Sequence, residues 1–145
     1  MEHELAALNR QALMAAKPYM GSFAWGTVAL AAAMLMAYPA TLWLTVTGAL
    51  PLWAGFAVIA TVMYMSYTPV HEAVHGNIHG DRAGLKWVND LCGYLCGQLT
   101  LLPYSTHKVE HFTHHRFTNQ AGKDPDCVVS RMGDGPAAFI VTVGR

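Results

Sequence analysis

From Pro18 to Val70 the chain carries no Asp, Glu, Lys, Arg or His. One continuous helix over that run, at about 1.5 Å per residue, would far exceed the roughly 30 Å hydrocarbon core of a bilayer. The run must fold back, and Thr47-Gly48-Ala49-Leu50-Pro51 is where Gly and Pro punctuate it. This predicts two membrane spans, one near Gly21 to Val46 and one near Leu52 to Val70. A composition 53 % hydrophobic and only 12 % charged points the same way. A secretory signal peptide would explain the first span alone, and no small-residue cleavage site with a soluble domain behind it is evident.

Charge placement orients the hairpin. The Gly48–Pro51 turn has no Lys or Arg, whereas Arg10 and Lys17 precede the hairpin and Arg82, Lys86, Lys108, Arg116, Lys123 and Arg131 follow it. The positive-inside bias puts both ends in the cytoplasm. A formal net charge of zero leaves no basic footprint for nucleic acid.

The rest of the chain divides by its punctuation. Residues 1–20 suit an amphipathic helix at the membrane surface, and residues 21–79 form the hairpin and its polar extension. Residues 85–102 are apolar but too polar at their start to span, which predicts an interfacial helix. Pro103 closes that element, and Ser105 or Thr106 is placed to cap a helix over 105–119. Gly122 to Asp126 reads as a turn, and 137–145 as the opening of a further element. The 3 cysteines are odd in number and lack a repeated spacing, so a disulfide framework is not expected. Cys92 and Cys96 read as small hydrophobes.

All but His3 of the 8 histidines fall into two clusters, His71, His75, His79 and then His107, His111, His114, His115. Spacings of four and four, and of four, three and one, put each cluster on one face of a helix. Imidazoles gathered this closely must stay neutral and find partners, which costs stability unless a cation binds them. Neutral imidazole suits iron, copper, zinc and nickel. Seven rings exceed what one tetrahedral zinc takes, which argues for two ions.

His71-Glu72-Ala73-Val74-His75-Gly76 resembles the first histidine box of membrane fatty acid desaturases and the related carotenoid hydroxylases. His111-Phe112-Thr113-His114-His115-Arg116-Phe117-Thr118-Asn119 resembles their second box, and Lys123-Asp124-Pro125-Asp126 the acidic turn that often follows. The resemblance spans roughly residues 60–130. It implies an all-α, integral membrane fold of four transmembrane helices with a cytosolic cap, of which this chain is the N-terminal portion. It also implies two iron ions as cofactors and dioxygen as co-substrate. His71, His75, His111, His114 and His115 are then metal ligands, and His79 and His107 are extra ligands, partners of ligands, or neither. Glu110 lies four residues before His114 and is placed to hydrogen-bond it. Asp124 is placed to do the same or to shape the turn, Asp126 reads as a turn former, and Glu72 and Asn119 stand as further supports.

The implied reaction takes two electrons from a carrier such as ferredoxin and removes hydrogen from an unactivated C–H bond of a lipid chain or carotenoid ring. The expected setting is the inner membrane of a bacterium, histidine boxes on the cytoplasmic side. A third box, required by the resemblance, does not follow His115, so this chain alone is expected to be inactive. Gly93, Gly97, Cys92 and Cys96 leave room for an acyl chain or polyene, although ordinary helix packing explains them equally well. A rival reading takes His71-Glu72-Ala73-Val74-His75 as the H-E-x-x-H zinc-protease signature with Glu72 as general base; it leaves His111, His114 and His115 unexplained. A metal-transport module would place ionisable residues inside the spans, and there are none.

Overall fold

The computed structural model describes residues 2–127. The expected element at 137–145 lies outside them. All regular structure among the described residues is helical: α1 (Glu2–Ala16), α2 (Trp25–Val46), α3 (Leu52–His75), α4 (Lys86–Leu99) and α5 (Tyr104–Phe117), with short 3₁₀ turns at Lys17–Tyr19 and Ala83–Leu85. The chain divides into two compact units at Thr100 and Leu101.

In the first unit α2 and α3 form the hairpin. The reversal sits where Gly and Pro predicted it. Gly48 adopts φ +77°, Leu50 N–H returns to the Leu44 carbonyl at 2.9 Å, and Pro51 leads directly into α3. The helices approach closely at Gly55, where a Cβ would lie 2.2 Å from Thr45 Oγ1.

By length and composition α2 alone among the described helices can cross a membrane, with a mean hydropathy of 1.6. α3, at 24 residues, is long enough. Its C-terminal half carries Tyr64, Ser66, Tyr67 and Thr68, which leave it less apolar than the second span expected at Leu52–Val70. Apolar side chains dominate the outside of the hairpin: Val46 is 83 % exposed and Trp53 76 %, with Leu52 and Phe56 alike.

The hairpin is closed at its open end. Ala24 N–H donates to the Ile78 carbonyl and Asp81 N–H to the Gly21 carbonyl, both at 3.0 Å, while Arg82 stacks over Phe23 at 5.9 Å. The segment entering α2 is thus stapled to the turn leaving α3. Ile78, in that turn, is fully buried.

The core lies where α3 meets α4. Val62, Ser66, Pro69, Val70, Ala73 and Val74 form the buried side of α3. Asn89, Cys92, Gly93, Cys96 and Gly97 form that of α4. Burial pushes the Cys96 thiol up to about 11, with the neighbouring Cys92 adding to it, and burial raises Cys92 as well. Both are neutral thiols at pH 7 and pack as small apolar groups.

In the second unit α5 begins earlier than its hydroxyl residues suggested. Pro103, not Ser105 or Thr106, is the capping residue, and no side chain caps the helix. Proline's fixed φ suits the start of a helix, so Tyr104 already begins the first turn. The helix stops at Phe117, two residues before Asn119.

Candidate metal centre

In the first unit His71 and His75 stand one turn apart near the end of α3. Their ring centroids are 4.8 Å apart at an interplanar angle of 63°, and both are partly exposed. Helical spacing alone explains the pairing. Tyr67, a further turn back, has its ring 6.0 Å from His71.

His79 departs from that face. Gly76 takes a left-handed φ of +74° and ends the helix, with Asn77 N–H bonded to the Glu72 carbonyl at 3.0 Å. This six-to-one bond closes a helix in the manner that glycine favours. The third ring therefore sits in the turn, where its Nδ1 pairs with the Gly80 carbonyl at 2.5 Å. A donor Nδ1 leaves Nε2 as the lone-pair nitrogen. Glu72 also ends in local contacts: Oε2 accepts from the Asn77 amide at 3.0 Å, and Oε1 is 3.7 Å from His71 Nδ1.

In the second unit α5 presents His107, His111 and His115 at successive turns. Centroids of His107 and His111 are 5.6 Å apart, and those of His111 and His115 4.5 Å. The Nε2 atoms of His111 and His115 are only 2.9 Å from each other. Two neutral imidazole nitrogens at that distance share a proton or face a common cation. His111 is buried and His115 exposed.

His114 is held differently. Its Nδ1 lies 2.8 Å from Asp124 Oδ1, and the carboxylate is almost wholly buried, its side chain 1 % exposed. Asp124 also accepts the backbone N–H of Asn119 at 2.7 Å and of Asp126 at 2.9 Å. Of the two partners that the sequence offered for this ring, Glu110 and Asp124, it is Asp124 that makes the bond. Glu110 points to solvent, whereas Asn119, at a left-handed φ of +62°, turns the chain back so that the acidic turn meets the ring. Asp126 is 3.8 Å from His114 Nδ1 and largely exposed.

The hydrogen bond to Asp124 holds the His114 imidazole above its ordinary value, against partial burial and with the charges of Asp124 and Asp126 adding. Burial works to raise the Asp124 carboxyl. The hydrogen bonds from His114, Asn119 and Asp126, with the His114 charge, outweigh it and hold the group below its usual range. The signs follow by linkage. The His114 contribution is present below the imidazole's unfolded value and lost as pH rises through the raised one. The Asp124 contribution is present above the carboxyl's unfolded value and lost as pH falls through the lowered one. In metal-free protein the clasp is strongest between them. Asp124→Asn is expected to lower the His114 titration midpoint, read by NMR of its ring protons; an unchanged midpoint would refute the assignment.

These residues fit a metal. A carboxylate on Nδ1 fixes the tautomer and leaves Nε2 of His114 as the donor atom, the usual support for a ligating histidine. His111 and His115 already direct their Nε2 atoms to one place. The sequence pattern did not single out Asn89, a buried amide that bonds the Ala73 carbonyl at 2.9 Å between His71 and His75; its only signal was a polar residue at helical spacing from Cys92, Gly93 and Cys96.

Residues 47–143 match the family model described as Fatty acid desaturase. Among curated proteins, the chain is 37 % identical over 46 residues to Delta(12) fatty acid desaturase fat-2 of Caenorhabditis elegans, covering 32 % of this chain and 12 % of that protein. It is 35 % identical over 72 residues to a beta-carotene ketolase of Haematococcus lacustris, covering 48 % of this chain and 22 % of that one, and equally to beta-carotene 4-ketolase 3 of the same organism. The matches thus span less than a quarter of these relatives' length. No solved structure matches. With the family's match running through both histidine clusters and the turn that holds His114, the chain belongs to the fatty acid desaturase family.

Proposed function

We propose that the protein is a membrane oxidoreductase that desaturates fatty acyl lipids at a histidine-ligated di-iron centre. The observation that carries this reading is the second-cluster geometry, in which the Nε2 atoms of His111 and His115 lie 2.9 Å apart and His114 is oriented by a buried carboxylate. His71 and His75 supply the ligands of the first cluster. Bound iron supplies the coupling of dioxygen reduction to hydrogen removal from an unactivated C–H bond. The chain's own part is to hold imidazoles neutral and aimed, and Asp124 keeps the His114 proton on Nδ1.

Membrane embedding is supported by the length and hydropathy of α2 and by the aromatic and aliphatic side chains exposed along the hairpin, which water would not favour as one continuous surface. Cationic residues at both open ends put the histidines on the cytoplasmic side. Electrons come from an external carrier such as ferredoxin. Similarity to carotene ketolases favours a second reading, oxidation of a carotenoid ring by the same centre. The zinc-protease reading gains nothing from the family match.

Full-length protein, expressed with iron supplementation and purified in detergent, tests the proposal. Expected are bound iron and, with reductant and dioxygen, a double bond introduced into acyl lipid, detected by mass spectrometry. Iron-loaded protein that consumes no dioxygen and alters neither acyl lipid nor carotenoid would overturn it.

A further inference from the structure

The packed face of α4 consists of Asn89, Cys92, Gly93, Cys96 and Gly97 at helical spacing. Four of these are small and bring the helix close to α3. The fifth carries an amide where an apolar side chain would bury at less cost. Asn89 is 1 % exposed. Its Nδ2 donates to the Ala73 carbonyl at 2.9 Å and also approaches the Asp90 carboxylate at 3.3 Å. Both neighbours are acceptors, which fixes the orientation of the amide. Oδ1 is left buried without a hydrogen-bond partner. A half-satisfied amide in a core is expensive, so its retention calls for a use.

Ala73 lies midway between His71 and His75, in the last turn of α3. Because the helix ends there, Asn77 N–H goes to the Glu72 carbonyl, and Gly76 N–H reaches Ala73 only in a tighter i to i+3 bond of 3.1 Å. The amide from α4 adds a second donor to the Ala73 carbonyl. Ala73 itself is fully buried, on the side of α3 away from the two rings by the 3.6-residue period. Its single methyl leaves the carbonyl within reach of Asn89.

We infer that Asn89 is a positioning residue for the first histidine box: it fixes the pitch of the final turn through the Ala73 carbonyl, and with it the aim of His71 and His75. It acts through the backbone and touches neither ring. The inference rests on the metal reading of that box.

Full-length protein loaded anaerobically with ferrous iron is challenged with ferrozine, and melting is followed on the same samples. Asn89→Leu keeps the branched outline without the amide, Asn89→Asp keeps the shape but sets a carboxylate against the carbonyl, and Asn89→Gln retains an amide donor. Leu and Asp variants that melt like wild type are expected to release iron about tenfold faster, the effect of removing a support behind a ligand, and Gln is expected to recover most of that loss. Variants that melt and release iron like wild type would overturn the inference. So would iron loss that only ever accompanies loss of the fold, which would make Asn89 a packing residue. Wild type that holds no iron would instead sink the metal reading itself.

Discussion

On the proposed di-iron function, alanine at both His111 and His115 of the full-length protein is expected to abolish metal binding at the second cluster and to lower oxygen-dependent turnover on the order of 100-fold or more, since ligand loss exceeds the 10- to 100-fold cost of losing a mere support. The two Nε2 atoms are 2.9 Å apart, so each single variant also leaves its neighbour without that contact. The singles should therefore cost nearly as much as the double, as groups that act as a unit do. His3→Ala, on the exposed α1, serves as the control and should change nothing. Metal analysis and dioxygen uptake read the outcome. Single variants whose losses simply multiply to that of the double would mean that the two rings serve separate ions.

The second large effect is structural. Gly80→Ala is expected to destabilise the protein by about 3 kcal/mol, the sum of a left-handed backbone and an overpacked contact. A Cβ at Gly80 would lie 2.4 Å from the Gly21 carbonyl oxygen and 2.7 Å from that of Ser22. Those are backbone atoms, held by the hydrogen bonds of the staple, and they cannot rotate away. Gly48 offers the comparison. Its φ is +77°, but a Cβ there would meet nothing within 4 Å, so Gly48→Ala should cost only about 1 kcal/mol. Melting in detergent of both variants separates the two contributions. Equal shifts would show that the close approach at Gly80 carries no weight.

The hairpin was legible because its cause is local: an uncharged run too long for one span, with Gly and Pro at one place. The pairings of His71 with His75 and of His111 with His115 were legible too, because i to i+4 spacing on a helix requires nothing else. His79 was misread by extending that spacing past Gly76, although the glycine that ends α3 stands in the sequence. For His114 the sequence offered both Glu110 and Asp124. Spacing along a helix cannot choose between them, because the choice depends on the turn at Asn119 that folds Asp124 back onto the ring. Asn89 was beyond reach, since its partner is sixteen residues away on another helix. The second expected span is the less apolar of the two because four hydroxyl-bearing residues, Tyr64, Ser66, Tyr67 and Thr68, fall in the C-terminal half of α3.

The staple between Gly21–Ala24 and Ile78–Asp81 has a bearing on insertion into a bilayer. Because the entry to α2 and the exit from α3 are bonded to each other, insertion of the proposed hairpin would put both at the same depth and keep the N-terminal helix on the same side of the membrane as His71 and His75. A fluorescent or protease-accessible tag fused ahead of α1 therefore reports the compartment that the first histidine box faces, and a charge reversal at Arg10 and Lys17 that inverted the tag would invert the box with it.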